Sequence, residues 1–126
     1  MQVEVVTPKG TAVSTDADEL VAPGQNGEFG VLPGHSPFIS ALRPGVLRYT
    51  KGGQEHRFAI GTGLVEVTGH DRVVVMTDRS SKAEEIDVAE ARRDLEEADQ
   101  LAKSNDATAD NKRAWAQARI DASARK

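Results

Sequence analysis

Residues 23–45 read PGQNGEFGVLPGHSPFISALRPG, and the turn residues of this stretch decide the fold expected for the first part of the chain. Pro-Gly pairs stand at 23–24, 33–34 and 44–45, about ten residues apart. Each pair predicts a turn, because proline presets φ and glycine tolerates φ > 0. Short runs of aliphatic residues lie between the pairs. This pattern is typical of an antiparallel sandwich or barrel.

The same alternation of runs and turns extends outward from this stretch in both directions. Further turns are predicted at 8–10 (PKG), 51–53 (KGG) and 69–71 (GHD). Strands are predicted at residues 2–7, 11–15, 18–22, 28–32, 37–42, 45–50, 54–60, 63–67 and 72–77. The run RVVVM at 72–76 does not alternate, which predicts a strand covered on both faces, whereas residues 46–49 predict a half-exposed strand.

The composition changes after residue 78. All eleven glycines and all five prolines lie at or before Gly69, and the rest consists mainly of alanine, charged residues and a few aliphatics. Asp87 followed by Glu90 predicts a capping box that opens a helix over 88–103. Turn formers at 104–108 predict a second helix over 109–124. We therefore expect a β-sandwich over residues 1–80 and an antiparallel α-helical hairpin over residues 81–126.

The expected hairpin has little apolar surface of its own. The stripe on its first helix consists of Val88, Ala91, Leu95, Ala98 and Ala102, with Leu101 alongside. Burial of one large aliphatic side chain contributes roughly 1.5–3 kcal/mol, against about 1–2 kcal/mol of entropy for each backbone residue ordered. The hairpin should therefore lean weakly on the sandwich. Trp115 is assigned to the core of the hairpin in preference to a docking contact with the sandwich.

Composition excludes several classes of function. The chain has no cysteine, so disulfide frameworks, thiolate zinc sites and thiol nucleophiles are excluded. A net charge of −4 with both signs interspersed disfavours nucleic acid as a partner. Neither a signal peptide nor an apolar run of the ~18–20 residues that span a bilayer is present. We expect a soluble protein that meets a membrane only through a partner.

No pattern for catalysis or metal binding is found. His35, His56 and His70 lack the short spacing that would make two of them ligands of one ion, so no metal site is expected. Gly27 and Gly30 flank Glu28 without a following Lys-Ser pair, and a phosphate-binding loop is not supported. The serines lack a nucleophile-elbow pattern. We do not expect an enzyme.

Residues 23–45 resemble the signature region of the epsilon subunits of F-type ATP synthases (delta in mitochondria), roughly GxxGExGxxPxHxPxxxxLxPG. The resemblance continues through residues 59–67, 73–78 and 85–87. It implies a ten-stranded β-sandwich followed by a two-helix hairpin, in a non-catalytic rotor subunit of the central stalk. It also implies a peripheral position on the cytoplasmic face of the bacterial plasma membrane, within the synthase complex.

The resemblance assigns partners to both parts. The sandwich would bind the gamma subunit and the ring of c subunits, with Glu28 and His35 at matching contact positions. The plainer alternatives are a solvated carboxylate for Glu28 and a turn residue hydrogen-bonded to backbone for His35. The hairpin would fold against the sandwich or extend toward the alpha/beta catalytic head and restrain ATP hydrolysis. The cations for that contact would be Arg92, Arg93, Arg113, Arg119, Arg125 and Lys126.

An alternative function is ATP sensing on the hairpin. Some bacterial epsilon subunits bind ATP through a motif Ile/Leu-Asp-x-x-Arg-Ala, which residues 86–91 resemble as IDVAEA. The residues that would form a weak nucleotide site are Ile86, Asp87, Ala91, Arg113 and Arg119. Glu90 replaces the motif arginine and reverses the charge, so we expect no cofactor. A plain reading treats Glu90 and Asp94 as a like-charge pair on a solvated helix surface, where Glu96 and Asp99 face Gln100 and Lys103.

Overall fold

The computed structural model describes residues 1–124 and contains ten strands followed by two helices. The strands are β1 (Gln2–Thr7), β2 (Gly10–Asp16), β3 (Glu19–Gly24), β4 (Gly27–Val31), β5 (Phe38–Leu42), β6 (Gly45–Lys51), β7 (Gln54–Ile60), β8 (Gly63–Thr68), β9 (Arg72–Thr77) and β10 (Ser80–Lys82). A 3₁₀ turn (Ala83–Glu85), α1 (Val88–Lys103) and α2 (Ala109–Ser123) follow. The expected fold class is confirmed. β10, implied only by the resemblance, continues to Lys82, past the expected boundary at residue 80.

The strands form one sheet that folds over on itself. Its order is β10-β7-β6-β3-β5-β8-β9-β1-β2, with β4 paired to the edge of β3. β3 and β5 share a single residue pair, Gly24 with Leu42, at the corner between the two layers. A Cβ on Gly24 would lie 2.7 Å from the Gly27 carbonyl oxygen and 2.8 Å from the Phe29 ring, which explains glycine there. β1 and β9 pair in parallel, an exception to the expected antiparallel arrangement.

The core between the layers consists mainly of aliphatic side chains, with Tyr49 and Phe58 as its buried aromatic members. The largest fully buried side chains are Leu20, Leu47, Ile60, Val3, Val5, Val31, Val65, Val73 and Val75. Phe29 and Phe38 pack edge to face beside this core, with ring centroids 5.4 Å apart. Each strand gives one face to the core because successive side chains of a strand point in opposite directions.

β9 corrects the expectation of a strand covered on both faces. Val73 and Val75 are buried, but Met76 is 42% exposed and Val74 is only half-buried. The outer face of β9 is therefore apolar, and no other segment of residues 1–124 covers it. The uniform run of apolar residues does not indicate burial on both faces. β6 has the expected half-exposed character, with Leu47 and Tyr49 turned inward.

The hairpin lies within a residue of its expected bounds. α1 has the expected ends, and α2 ends at Ser123, one residue early. Asp87 caps α1 by accepting a hydrogen bond from the Glu90 N–H at 3.1 Å. The Glu90 carboxylate instead lies 3.9 Å from Arg119, so only half of the capping box forms. Ala102 is exposed, unlike the rest of the expected stripe, since it lies in the last turn beside an exposed connection.

α2 lies against β6 and β7, and α1 packs on α2. The contact with the sandwich is a small cluster built from Ala59, Ala118 and Ala122, with Val46, Ile86 and Trp115 packed against it. Trp115 is therefore a docking residue, and its assignment to the hairpin core was wrong. Ala116, also fully buried, shows that α2 is enclosed on more than one side.

Candidate functional site

The sandwich has two outer faces with different surroundings. The outer face of β3, β6 and β7 lies under α2 and is called the docking face below. The outer face of β5, β8 and β9 is called the open face, and it displays Ile39, Leu64 and Met76, which are 67%, 45% and 42% exposed. Leu64 pairs with both Ala41 and Met76, so these side chains share one side of the sheet. Glu66, opposite Ile39, also lies on this side. Exposed apolar side chains grouped on one face of a sheet are typical of a protein-binding site.

The loop that carries His35 lies between β4 and β5 and adds a further exposed apolar residue, Leu32, at 56%. His35 is exposed, its Nδ1 lies 2.7 Å from the Ser36 carbonyl oxygen, and its ring centroid lies 5.0 Å from that of Phe38. The contact with backbone agrees with the plainer reading of His35 as a turn residue. Its exposed position also leaves it accessible to a partner.

Asp71, in the turn between β8 and β9, fixes this loop. Its Oδ1 accepts a hydrogen bond from the Gly34 N–H at 2.9 Å. Asp71 itself has φ +57, a conformation that aspartate tolerates better than most residues. Sequence reasoning identified the turn at 69–71 but missed this role, because the contact joins residues 37 positions apart.

Glu28 is a half-exposed carboxylate that also forms an ion pair. Its Oε2 lies 3.0 Å from Nη1 of Arg48 on β6, across the intervening strand β3. Glu28 also lines a groove of about 420 Å³ between the sandwich and α2, together with Arg43, Ala114 and Asp121. No hydrogen bond or ion pair joins Glu28 to His35 among residues 1–124.

A line of alternating charges continues from Glu28 across the docking face. Arg48 lies 3.9 Å from Glu55, and Glu55 lies 3.1 Å from Nη1 of Arg57. The Arg57 Nε and Nη2 groups donate to the backbone carbonyls of Ala122 and Asp121, at 3.2 and 2.9 Å. Sequence reasoning singled out none of the residues that follow Glu28 in this line.

The two helices are joined by ion pairs. Nη2 of Arg119 lies 2.7 Å from Oδ2 of Asp94, and Nη1 lies 3.9 Å from Glu90. The hydrogen bond from Arg119 lowers the pKa of Asp94, against the raising effect of partial burial. Arg119 thus pairs with both of the carboxylates that the sequence suggested as a like-charge pair. Two more pairs link the helices, Glu97 with Lys112 at 3.1 Å and Asp99 with Arg113.

The indole ring of Trp115 is contacted by two guanidinium groups. Arg79 of the sandwich is centred 4.5 Å from the indole ring, and Arg119 of α2 is 5.5 Å from it. The Nε of Arg79 is buried and has no hydrogen-bond partner within the described chain. Arg79, Trp115 and Arg119 therefore connect the sandwich to the ion pairs of the hairpin.

The residues considered for a nucleotide site have structural partners. Ile86 packs in the docking cluster, Asp87 caps α1 and Ala91 is fully buried. Arg113 and Arg119 are paired with carboxylates of α1, and Arg119 is brought beside Glu90. Binding of a nucleotide to the hairpin stays a prediction, and so does the part that these five residues would take in it.

The remaining candidates for contact with the catalytic head divide into two groups. Arg92 and Arg93 are exposed on α1 and form no ion pair with another of the described residues. Arg125 and Lys126 lie outside the described residues.

No group of three or more metal-ligating side chains is found in residues 1–124. His56 stacks on Tyr49 at 4.7 Å, and burial followed by the charge of Glu84 raises the pKa of Tyr49.

The fold and its two faces define a class of two-part protein, a β-sandwich with an uncovered apolar face and a helical pair docked on the opposite side. Residues 1–83 match the family model described as ATP synthase, Delta/Epsilon chain, beta-sandwich domain. The chain belongs to this family of ATP synthase subunits.

Relatives and solved structures agree with this assignment. The ATP synthase epsilon chain of Anaeromyxobacter sp. (strain K) is 44% identical over 98 residues, which cover 78% of this chain and 74% of the relative. That of Myxococcus xanthus is 42% identical over 103 residues, 82% of this chain and 75% of the relative.

Two solved structures share the fold. A chain of the Euglena gracilis mitochondrial ATP synthase, in its OSCP/F1/c-ring assembly, has a TM-score of 0.76 at 24% identity and covers 94% of this chain and 74% of its own length. A chain of the Tetrahymena thermophila central stalk and c-ring assembly has a TM-score of 0.62 at 16% identity, with 94% and 96% covered. Neither helix described in this protein is long and apolar enough to cross a membrane.

Proposed function

We propose that this chain is a non-catalytic rotor subunit of a bacterial F-type ATP synthase, which couples ion flow to ATP synthesis and restrains ATP hydrolysis through its helices. The proposal is supported by the family match and by relatives named ATP synthase epsilon chain. It places the protein on the cytoplasmic face of the plasma membrane, held there by the complex. The observation that carries it is the open face, a largely apolar surface that residues 1–124 leave uncovered.

The open face is the binding surface for the gamma subunit. Ile39, Leu64 and Met76 are large, exposed and mounted on a rigid sheet, so they can be buried by a partner without rearrangement. Complete burial of each contributes roughly 1.5–3 kcal/mol before the cost of association. A few central anchors of this size are sufficient for a specific interface.

The β4–β5 loop and Glu28 are the contacts with the c ring and the adjoining part of gamma. Leu32 and His35 project from a loop whose backbone is fixed through Asp71, so the loop is pre-organised for binding. Glu28 offers a carboxylate that is half exposed and already shared with Arg48. A cationic group of the rotor can therefore bind Glu28 by competing with Arg48.

The hairpin is the regulatory element. Its docking contact with the sandwich is built largely from alanine, so a few kcal/mol are sufficient to favour an extended state in which it obstructs rotation. Arg92 and Arg93 are available to acidic groups of the catalytic head without loss of an internal partner among residues 1–124. Arg113 and Arg119 must first break their ion pairs with the carboxylates of α1 before they can bind acidic groups of the catalytic head.

Co-purification with gamma tests the proposal. Ile39→Asp places a charge on the most exposed apolar residue of the open face, and it should leave the fold unchanged because the side chain is 67% exposed. We expect the variant to lose gamma from the purified assembly, whereas Gln54→Asp, at the exposed start of β7 and away from the open face, retains it. Undiminished recovery of gamma with both Ile39→Asp and Leu64→Asp would contradict the assignment of this surface.

A further inference from the structure

Arg57, on strand β7 of the sandwich, binds the backbone carbonyls at the C-terminal end of α2. The last carbonyls of a helix lack helical N–H partners and carry partial negative charge, which a cation normally neutralises. The last turn of α2 has no basic residue. Arg57 on β7 donates to the Ala122 and Asp121 carbonyls at 3.2 and 2.9 Å instead. These two hydrogen bonds exist only while α2 is docked.

Arg57 is in turn held by its neighbours on the docking face. Arg48 and Arg57 are directly opposite in the β6–β7 register, an arrangement that is repulsive for like charges. Glu55 offsets the repulsion by contacting both, at 3.9 and 3.1 Å, and Glu28 binds the far side of Arg48 at 3.0 Å. Arg48 and Arg57 are only 30% and 26% exposed, so solvent screens these interactions incompletely.

We propose that Glu28, Arg48, Glu55 and Arg57 form a latch that holds α2 on the sandwich and makes docking sensitive to the state of Glu28. When a cationic group of a partner takes the Glu28 carboxylate, Arg48 loses the nearer of its two carboxylate partners and repels Arg57 across the strand pair. Arg57 then binds the end of α2 less well, and the hairpin is released more readily. The sensitivity to a partner rests on the proposed role of Glu28 as a rotor contact, whereas the latch itself does not.

The latch is tested on the full chain without any partner. Because the protein has no cysteine, spin labels can be placed specifically at Gln54→Cys at the start of β7 and Asn111→Cys on α2, both exposed positions. Pulsed electron paramagnetic resonance then gives the fractions of docked and released hairpin. Loss of two hydrogen bonds from a charged donor should raise the ratio of released to docked hairpin by about tenfold or more in Arg57→Ala.

Arg72→Ala is the matched control, since Arg72 also forms a cross-strand ion pair, with Glu4, but lies on β9, whereas α2 lies against β6 and β7. Its released fraction should equal that of the parent. Equal released fractions in Arg57→Ala and Arg72→Ala would overturn the latch.

Glu28→Gln tests the connection to Glu28. We expect a several-fold increase in the released hairpin, and no further increase when Glu28→Gln is added to Arg57→Ala, because the two changes act through the same contact. A Glu28→Gln chain that matches the parent, or effects that add in the double variant, would overturn the connection. These distances are measured without gamma, so their outcome is independent of the co-purification that tests the proposed function.

Discussion

Arg119 is a largely enclosed cation, 11% exposed, that contacts the indole of Trp115 and two carboxylates of α1. The sequence identifies it as a cation on the second helix. It does not identify the partners, because the contacts with Asp94 and Glu90 join residues 25 and 29 positions apart across the hairpin. By contrast, the cap at Asp87 was predicted correctly, since its partner is only three residues away.

The Asp94–Arg119 pair makes hairpin stability dependent on pH. The folded-state pKa of Asp94 is lowered by the Arg119 hydrogen bond, so the pair stabilises the fold fully above the unfolded pKa of about 3.9. Its contribution is lost as pH falls through the folded-state value. We expect Asp94→Asn to reduce hairpin stability by about 1 kcal/mol at neutral pH and to remove this part of the acid dependence. Urea unfolding at a series of pH values measures both effects.

Asp106→Asn is the control for that experiment. The pKa of Asp106 is also lowered, because its carboxylate accepts hydrogen bonds from the backbone N–H and the side-chain hydroxyl of Thr108. Asp106 lies in the exposed connection between the helices. Within residues 1–124 it contacts neither the sheet nor a basic side chain of α1. Its replacement should leave the contact between the helices intact at neutral pH. If both variants lose the same stability, the Arg119 contact is not the source of the effect.

The charge of residue 90 tests the alternative function, in which the hairpin binds ATP. In this chain Glu90 and Asp94 already neutralise Arg119, so we expect no detectable heat when Mg-ATP is added at millimolar concentration. Glu90→Arg places a second cation beside Arg119, which favours an anionic ligand between the two helices. Calorimetry should therefore detect ATP binding to Glu90→Arg alone. Binding of ATP by the unsubstituted chain would support the sensing function instead.

At the scale of single elements, α2 explains why Trp115 was misplaced from the sequence. Its buried residues include Ala116, Ala118 and Ala122, on sides that face both the other helix and the sandwich. Alanine gives little contrast between an apolar and a polar side, so periodicity alone does not tell which side carries the tryptophan. β9 was misjudged for a related reason, since an apolar run is the same whether its outer face is covered by helices or left for a partner.

The docking cluster can be disrupted at one alanine. Ala118 is 2% exposed, so Ala118→Glu would bury a carboxylate without a partner and should release the hairpin. Trp115 is the only tryptophan, and its emission maximum should shift to longer wavelength as it leaves the sandwich. Ala89→Glu, on an exposed position of α1, should leave the emission unchanged. An unshifted spectrum for Ala118→Glu would contradict the role of this cluster.

At the scale of the whole molecule, the division into a sandwich and a hairpin follows from glycine and proline, which set the turns of one part and are absent from the other. Which outer face of the sandwich α2 covers does not follow from the positions of glycine and proline. Whether α2 covers β6 and β7 or the open face depends on Ala59 and Val46 meeting the alanines of α2, and these are contacts between distant residues. The sequence therefore predicts the two parts but not the surface left for a partner.

Removal of residues 88–126 separates the two proposed roles. The deletion leaves every strand and the main core cluster intact, so the shortened chain should still enter the synthase and support coupling. ATP hydrolysis by the assembled complex should rise, because the extended hairpin can no longer obstruct rotation. Hydrolysis that is unchanged in a fully assembled complex would rule out the inhibitory role.

The parallel pairing of β1 with β9 has a consequence for biosynthesis. Val3 and Val5 lie opposite Val73 and Val75, and parallel neighbours cannot be formed by a tight turn. While the chain emerges from the ribosome, the first strand must wait for the ninth, and its valines stay without that neighbour until most of the polypeptide has been made. The two helices are synthesised only afterwards, so they reach a sandwich that can already close without them.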